Sequence, residues 1–516
     1  MLFAKGLPSL QLRFILVLAI FASFLIFVKT FYFLKEPLLD VAVTTTAATT
    51  TTTTRADGPL PEEQYLARLS HEFKLTNETE WLAWKIQHSK EASAWTTVNN
   101  VRTKFGARSK VVVTGLPNPT DILVTNQMKL PVSASSLPSR PDASEFVFGI
   151  TTTYAKLMER DGAKMKSWTR WLTKDGKKSN GASLIVMLDQ ALDEQLKEVE
   201  EILSANGINA QVSATEEPMS IARRYHELTK LMKSFGGAVV AAKGHVKKWF
   251  ALVEDDIFIP NLSYLQDRLS TYQSSAQLYI GMPSEREDWE VIDGNLTTTF
   301  GGGAVFLTRP ALFQLSHLSC LNPPEHHARF HGKRWDILLQ ECLTKNTPMR
   351  MYTLPGFYSP EDNQANLQGD PYESGVQPLT LHHHFDRHGL DVNMAHMVTN
   401  ACGNSCFMQR YRFKDNWVLV NGVSISQYLD GHENDSQDNE NHARPSMPDQ
   451  IVIDDSAVDR KTLKLSPDNR KVWRFADSVM SDDGAVWQAY IRRAHKTSDA
   501  EIDSVIVLVW EKDNSQ

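Results

Sequence analysis

The chain has 516 residues, room for one large domain with smaller additions. Its formal net charge is -7 and no basic stripe interrupts that balance. This excludes the basic footprint expected of a nucleic-acid binder.

Phe14 to Val28 is an apolar run broken only by Ser23 and bracketed by Arg13 and Lys29. The run alone is shorter than the roughly 20 residues a helix needs to span a bilayer. With Lys29 snorkelling to the interface the apolar stretch reaches Leu34 and fits a thin bilayer. No small-residue cleavage site follows, so an uncleaved anchor over 14–34 is expected rather than a removed signal peptide. Lys5 and Arg13 precede it and Lys29 and Lys35 follow, so charge asymmetry barely sets the orientation. Thr44 to Thr54, interrupted only by Ala47 and Ala48, has nothing with which to form a core and reads as a stem. Sequons begin at Asn77, Asn261, Asn295 and Asn434. Stem and sequons favour residues 1–13 as a cytoplasmic tail, 35–60 as a stem and a lumenal remainder. The four cysteines, Cys320, Cys342, Cys402 and Cys406, allow three disulfide connectivities. Proximity favours Cys320–Cys342 with Cys402–Cys406.

Residues 61–140 read as an N-terminal segment. Glu62 to Phe73 places Tyr65, Leu66, Leu69 and Phe73 at helical spacing, and Val111 to Val113 is strand-like. From 141 to 395 the pattern becomes regular. Phe146 to Ile150, Leu184 to Leu188, Ala210 to Ala214 and Phe250 to Val253 are predicted strands. Between them, Tyr154 to Trp171, Gln190 to Ala205, Ile221 to Phe235 and Val239 to Val246 are predicted helices. That alternation predicts an α/β fold with a mostly parallel sheet and flanking helices. Ligands of such sheets bind outside the carboxyl ends of the strands. The polar groups Thr151-Thr152-Thr153, Asp189 and Glu254-Asp255-Asp256 all follow predicted strands. Beyond residue 395, strand-like runs at 418–420, 423–425, 472–475, 486–491 and 503–510 predict a small β-rich C-terminal module over 396–516. Within it, the acidic stretch 431–450 reads as a disordered loop.

Acids fixed at a strand end suit a hard divalent cation that shares its shell with substrate phosphates. Alternation along an extended chain would turn Glu254 and Asp256 the same way, which gives Asp256 the main metal contact, with Glu254 or Asp255 assisting. The glycines Gly301, Gly302 and Gly303 permit close approach of a ligand or, equally, a structural hairpin. Asp336, opening a predicted helix, can serve as a general base or simply complement the helix dipole. His382-His383-His384 follows an apolar run, and strand alternation would bury one or two of the three. One of these imidazoles could complete a metal shell. With His326, His327, His331 and His388 nearby a zinc hydrolase is conceivable, but the spacing fits no H-E-x-x-H pattern.

Several stretches together resemble the fringe-like family 31 glycosyltransferases, especially their fungal branch. They are Phe148 to Tyr154, Trp249 to Pro260, Gly301 to Pro310, Trp335 to Leu339 with Cys342, Leu354 to Pro360, and Tyr372 to Gly375 leading to Leu379-Thr380-Leu381-His382-His383. The resemblance covers residues 145 to 390. It implies a GT-A type, Rossmann-like fold, a UDP-sugar donor, Mn2+ (or Mg2+) and inversion at the anomeric carbon, usually to a β-1,3 linkage on a glycan or glycoprotein. By that resemblance Glu254, Asp255, Asp256 and one of His382 and His383 attend the metal. Thr151, Thr152, Asp189 and Arg224 lie near the nucleotide, Asp336 is the base, and Trp289 and Gly301 to Gly303 line the acceptor side. It also implies a single-pass type II protein of the Golgi membrane. Two departures stand out: the acidic motif opens with Glu rather than Asp, and Trp335 stands where many relatives carry a second acid beside the base. They motivate an alternative, an inactive lumenal glycan-binding or scaffold protein of the same fold.

Overall fold

A computed structural model describes residues 60–91, 98–133, 142–174, 176–281, 289–292, 295–298, 303–318, 320, 334–354, 373, 377–386, 389–429, 451–453, 470–494 and 501–512. The expected tail, anchor and most of the stem, and the acidic loop 431–450, lie outside these residues. Among the described residues no helix is long and apolar enough to cross a membrane.

The chain begins with helix α1 (Pro61–Phe73), strands β1 (Glu78–Glu91), β2 (Asn99–Val101) and β3 (Lys110–Val113), the short helix α2 (Pro119–Ile122) and β4 (Asn126–Ser133). There follow β5 (Phe146–Thr152), α3 (Tyr154–Leu172), β6 (Ser183–Leu188), α4 (Asp193–Ala205), β7 (Ala210–Ala214), α5 (Ile221–Lys243), β8 (Trp249–Val253) and α6 (Leu262–Ser270). Next are β9 (Tyr279–Gly281), the hairpin β10 (Trp289–Ile292) and β11 (Asn295–Thr298), β12 (Ala304–Thr308), α7 (Arg309–Leu315), α8 (Trp335–Asn346) and β13 (Met351–Thr353). Short helical turns α9 (Val392–Ala395) and α10 (Thr399–Cys402) lead to β14 (Arg410–Phe413), β15 (Trp417–Val420), β16 (Ser424–Tyr428), β17 (Ile451–Ile453), β18 (Arg470–Met480), β19 (Val486–Arg492) and β20 (Asp503–Trp510).

The first sheet runs β17-β13-β9-β12-β8-β5-β6-β7. It is parallel except where β12 pairs antiparallel with β9 and β8. β5 and β6 are buried along their whole length, as strands covered on both faces must be. Period-2 alternation divides their side chains. Phe148, Ile150, Leu184 and Val186 enter one core with Trp168 and Trp171 of α3. Val147, Ile185, Phe250 and Leu252 enter the other with Tyr225, Leu228 and Met232 of α5. Truncating a ring such as Phe148 to alanine in such a core costs about 3–5 kcal/mol. At Gly149 a Cβ atom would lie 2.5 Å from the sulfur of Met232, so the missing side chain lets α5 press against the sheet centre.

The second sheet runs β2-β14-β15-β16-β18-β19-β20-β1-β3, with β4 also on β1. β1 and β20 pair parallel from Thr79↔Asp503 to Ile86↔Trp510. Strands of the expected segment 61–140 and of the expected module 396–516 therefore belong to one sheet. α1 covers its outer face through Tyr65, Leu66 and Leu69. The inner face carries Trp84, Tyr490, Ile506 and Trp510 and shares a continuous core with the first sheet.

Local expectations need four corrections. Ile221 to Lys243 is a single helix rather than two: Gly236 does not break it but faces the Phe250 ring, which a Cβ would approach to 2.8 Å. The expected helix Tyr154 to Trp171 is interrupted, since Arg160, Asp161 and Gly162 have φ of 48°, 54° and 69°. Helix α4 starts at Asp193 rather than Gln190, whose φ is 53°. Thr151 and Thr152 are the last residues of β5 rather than residues beyond it, and Thr153 caps α3 by accepting from the Lys156 amide. Both favoured disulfides, Cys320–Cys342 and Cys402–Cys406, are present.

Candidate metal centre

Strands β8, β5 and β6 lie side by side, and the polar groups following each come together at their carboxyl ends. β8 ends at Val253, and Glu254 to Ile257 form a turn closed by the Ile257 amide on the Glu254 carbonyl at 3.2 Å. Two residues on, the backbone of Phe258 exchanges hydrogen bonds with Leu381, at 2.9 and 2.8 Å. That bridge brings the histidine segment alongside the acids.

His382 to His384 form a turn rather than the expected strand. His383 has a φ of 49°. Left-handed backbone breaks strand alternation, so neighbouring imidazoles need not point to opposite sides. The rings of His382 and His383 stack with centroids 3.7 Å apart. His383 Nδ1 lies 2.8 Å from Asp256 Oδ2, and His382 Nε2 lies 3.3 Å from both Asp256 Oδ1 and Glu254 Oε2. Asp256, His382 and His383 each offer an atom within 4.8 Å of the others, the geometry of a cation site. Among the described residues the buried Asp256 Oδ1 has only the 3.3 Å approach of His382 Nε2 and no well-aligned hydrogen bond, which leaves it able to ligate a metal ion. The donor set of two imidazoles and a carboxylate fits a divalent transition ion.

The surrounding charges set the acids' protonation. Burial pushes Asp256 up, but the charges and hydrogen bonds of His382 and His383 outweigh it and hold the carboxyl well below its usual range. Glu254 is likewise pushed up by burial and brought below its usual value, chiefly by His382 and then by the indole of Trp335. Trp335 Nε1 donates to Glu254 Oε1 at 2.9 Å, and its ring stacks on Tyr225 at 3.9 Å. The sequence pattern does not announce this donor, since Trp335 stands there only as a departure from a second acid.

Asp255 turns away from the histidines. Its Oδ2 takes the Thr152 hydroxyl and lies 3.0 Å from Lys164 Nζ. Asp189, just past β6, pairs with Arg224 of α5 and accepts from Thr215 Oγ1 at 3.1 Å. Its amide donates to the Thr152 carbonyl at 2.9 Å. The four residues expected near a nucleotide thus lie around neighbouring strand ends, and Thr151 Oγ1 is buried with no hydrogen-bond partner among the described residues. Lys164 and Thr215 join this neighbourhood without having been singled out. Thr215 immediately follows a predicted strand, a signal that was available.

Asp336 opens α8 with 1% exposure. Arg334 Nε stands 3.3 Å from its Oδ1, yet among the described residues neither carboxylate oxygen has a hydrogen bond of good geometry. Burial pushes its pKa up to about 7, the Glu254 charge adding to the rise and Arg334 opposing it. The Gly303 carbonyl accepts from the Glu254 amide at 3.0 Å. Gly301, Gly302 and His388 lie outside the described residues, and Trp289 is described only as the first backbone position of β10.

The family model described as Fringe-like matches residues 189–402. No curated protein matches the chain. Partly similar solved structures include the glycosyltransferase GlyE of Streptococcus pneumoniae TIGR4, with 14% identity over 46% of this chain and 53% of that one and a TM-score of 0.28. Another is S. aureus TarS 1-349, with 15% identity over 27% and 35% and a TM-score of 0.19. A third is the mannosyltransferase PcManGT of Pyrobaculum calidifontis in complex with GDP-Man and Mn2+, with 12% identity over 34% and 47% and a TM-score of 0.23. The chain spans 35% to 53% of the length of these structures, and overlaps this slight carry no weight for the site. Residues 189–402, similar to the Fringe-like family model, hold Asp256, Asp336, His382 and His383.

Proposed function

We propose that the chain is a metal-dependent, inverting glycosyltransferase that moves a sugar from a UDP-sugar to a hydroxyl of a glycan or glycoprotein, with a β-1,3 product as in the fringe-like family and its fungal branch. The observation that carries this reading is the convergence of Asp256, His382 and His383 at the end of β8.

Asp256, His382 and His383 would hold the cation, with Glu254 beside them. A divalent ion there would neutralise charge developing on a leaving diphosphate. Two imidazoles in the set favour Mn2+ over Mg2+, which prefers oxygen alone. The pair Asp189–Arg224, with Thr151 and Thr152, offers donors and acceptors for the nucleoside end. Asp336 is the base: a buried carboxyl poised near neutrality takes a proton from an acceptor hydroxyl more readily than an ordinary aspartate does. Its neighbour Trp335 ties α8 to Glu254, so base and acids are set by one helix start. Gly303, backbone-bonded to Glu254, and the hairpin opened by Trp289 are assigned to the acceptor side. The 14–34 anchor would hold this domain on the lumenal side of a Golgi membrane.

Release of UDP from a panel of UDP-sugars, with and without Mn2+, tests the proposal. Turnover that needs Mn2+ and disappears in Asp256→Ala is expected. Binding of UDP-sugar with no turnover on any acceptor would favour the inactive lumenal relative instead.

A further inference from the structure

The three acids of Glu254-Asp255-Asp256 look alike in sequence, but the structure gives the middle one a different environment. Glu254 and Asp256 face the histidines. Asp255 faces α3. The Lys164 ammonium is 3.0 Å from Asp255 Oδ2, with side-chain exposures of only 19% and 14%. The Thr152 hydroxyl, 4% exposed at the end of β5, donates to the same oxygen. One helical turn beyond Lys164, Trp168 Nε1 donates to the Asp255 backbone carbonyl at 3.2 Å. Residues four apart share a helix face, so one face of α3 grips Asp255 by both side chain and backbone. The grip begins where the helix resumes after its left-handed break at Arg160 to Gly162.

We propose that Asp255 is a positioning residue rather than a metal ligand: with Lys164, Thr152 and Trp168 it latches the acidic turn to α3 and thereby aims Glu254 and Asp256 at the cation. This deepens the metal reading of the preceding subsection and rests on it. The Lys164 ammonium and the Thr152 hydroxyl both hold Asp255 Oδ2 on the α3 side, and Asp255 is not among the residues that converge with the histidines, so the residue contributes orientation and no direct bond to the ion. Lys164 consequently supports metal binding, although a cation near a cation site would ordinarily oppose it.

The test is a double-mutant cycle on the full-length chain, read by Mn2+ titration with electron paramagnetic resonance in the absence of donor. Asp255→Asn and Lys164→Met are each expected to weaken Mn2+ binding five- to tenfold. The double variant should be no weaker than either single one, because both remove one latch. Lys164→Arg should restore most of the affinity, and Asp256→Asn should abolish binding. Three outcomes overturn the proposal: tighter Mn2+ binding in Lys164→Met, loss in Asp255→Asn as complete as in Asp256→Asn, or additive losses across the cycle. Should Asp255→Asn fail to fold, Trp168→Phe removes only the backbone half of the latch and is expected to weaken Mn2+ two- to fivefold; unchanged affinity there overturns it. A wild-type chain that binds no Mn2+ would reject the metal reading itself. The latch is then judged by the same cycle on the unfolding midpoint, where non-additive shifts support it and additive shifts overturn it.

Discussion

Phe258 and Leu381, 123 residues apart, exchange both backbone hydrogen bonds, at 2.9 and 2.8 Å. Asp256 precedes one partner by two residues and His382 follows the other directly. This single rung therefore sets the acid turn against the histidine turn. Its placement makes Asp256 the residue on which the proposed centre depends most.

Asp256→Ala is expected to lower Mn2+ affinity at least a hundredfold and to remove Mn2+-dependent turnover. Both histidines lose the carboxylate they share, while the rung itself stays intact. Mn2+ titration of the purified variant, with circular dichroism to confirm the fold, checks this. Wild-type affinity in the variant would remove Asp256 from the centre.

His383 separates backbone from ligand. Its φ of 49° lies where a side chain costs about 1 kcal/mol or more and glycine is free. His383→Gly should therefore unfold no earlier than wild type despite losing its 2.8 Å contact to Asp256. His383→Ala should be less stable than His383→Gly by about 1 kcal/mol. Both should lose Mn2+ affinity to the same extent. Thermal melts and Mn2+ titrations of the two variants decide the matter: stability must differ while affinity does not.

Much of this was legible in the sequence, and the reason is local. Val253 and Leu188 close runs whose burial follows from composition, so the acids and Asp189 could be placed at strand ends without coordinates. The histidine turn was not legible, because Leu379-Thr380-Leu381 reads as a strand and nothing in His382-His383-His384 announces a left-handed residue. The continuity of α5 was hidden because Gly236-Gly237 resembles a break, whereas Gly236 makes room for Phe250. The second sheet was out of reach for a different cause. Thr79 pairs with Asp503, and no local pattern encodes a partner that far away.

Trp335→Phe should expose the value of the indole donor. Phenylalanine keeps an aromatic ring against Tyr225 but cannot donate to Glu254. A hydrogen bond to a charged group contributes about 1.5–3 kcal/mol. Loss of roughly tenfold in affinity for Mn2+ and UDP together, with a modest fall in melting temperature, is expected from calorimetric titration. Unchanged affinity would mean that Glu254 is oriented by His382 alone.

Asp336→Asn should abolish turnover while leaving donor binding in place, and it should also stabilise the fold above about pH 4. The folded chain keeps the Asp336 proton up to about pH 7, whereas an unfolded aspartate releases it near 3.9. Between those values folding takes up a proton, so stability falls as pH rises from about 4 to about 7 and then levels off. Each unit is worth about 1.4 kcal/mol at most. The amide cannot ionise and so escapes the penalty. The difference in melting temperature, variant minus wild type, should therefore grow with pH across that window and stay constant above it. Wild-type turnover should show its rising limb at or below pH 7, since a bound cation would favour the carboxylate. A variant that is less stable at pH 8 than wild type would mark Asp336 as a structural partner of Arg334 rather than a base kept at a cost to the fold.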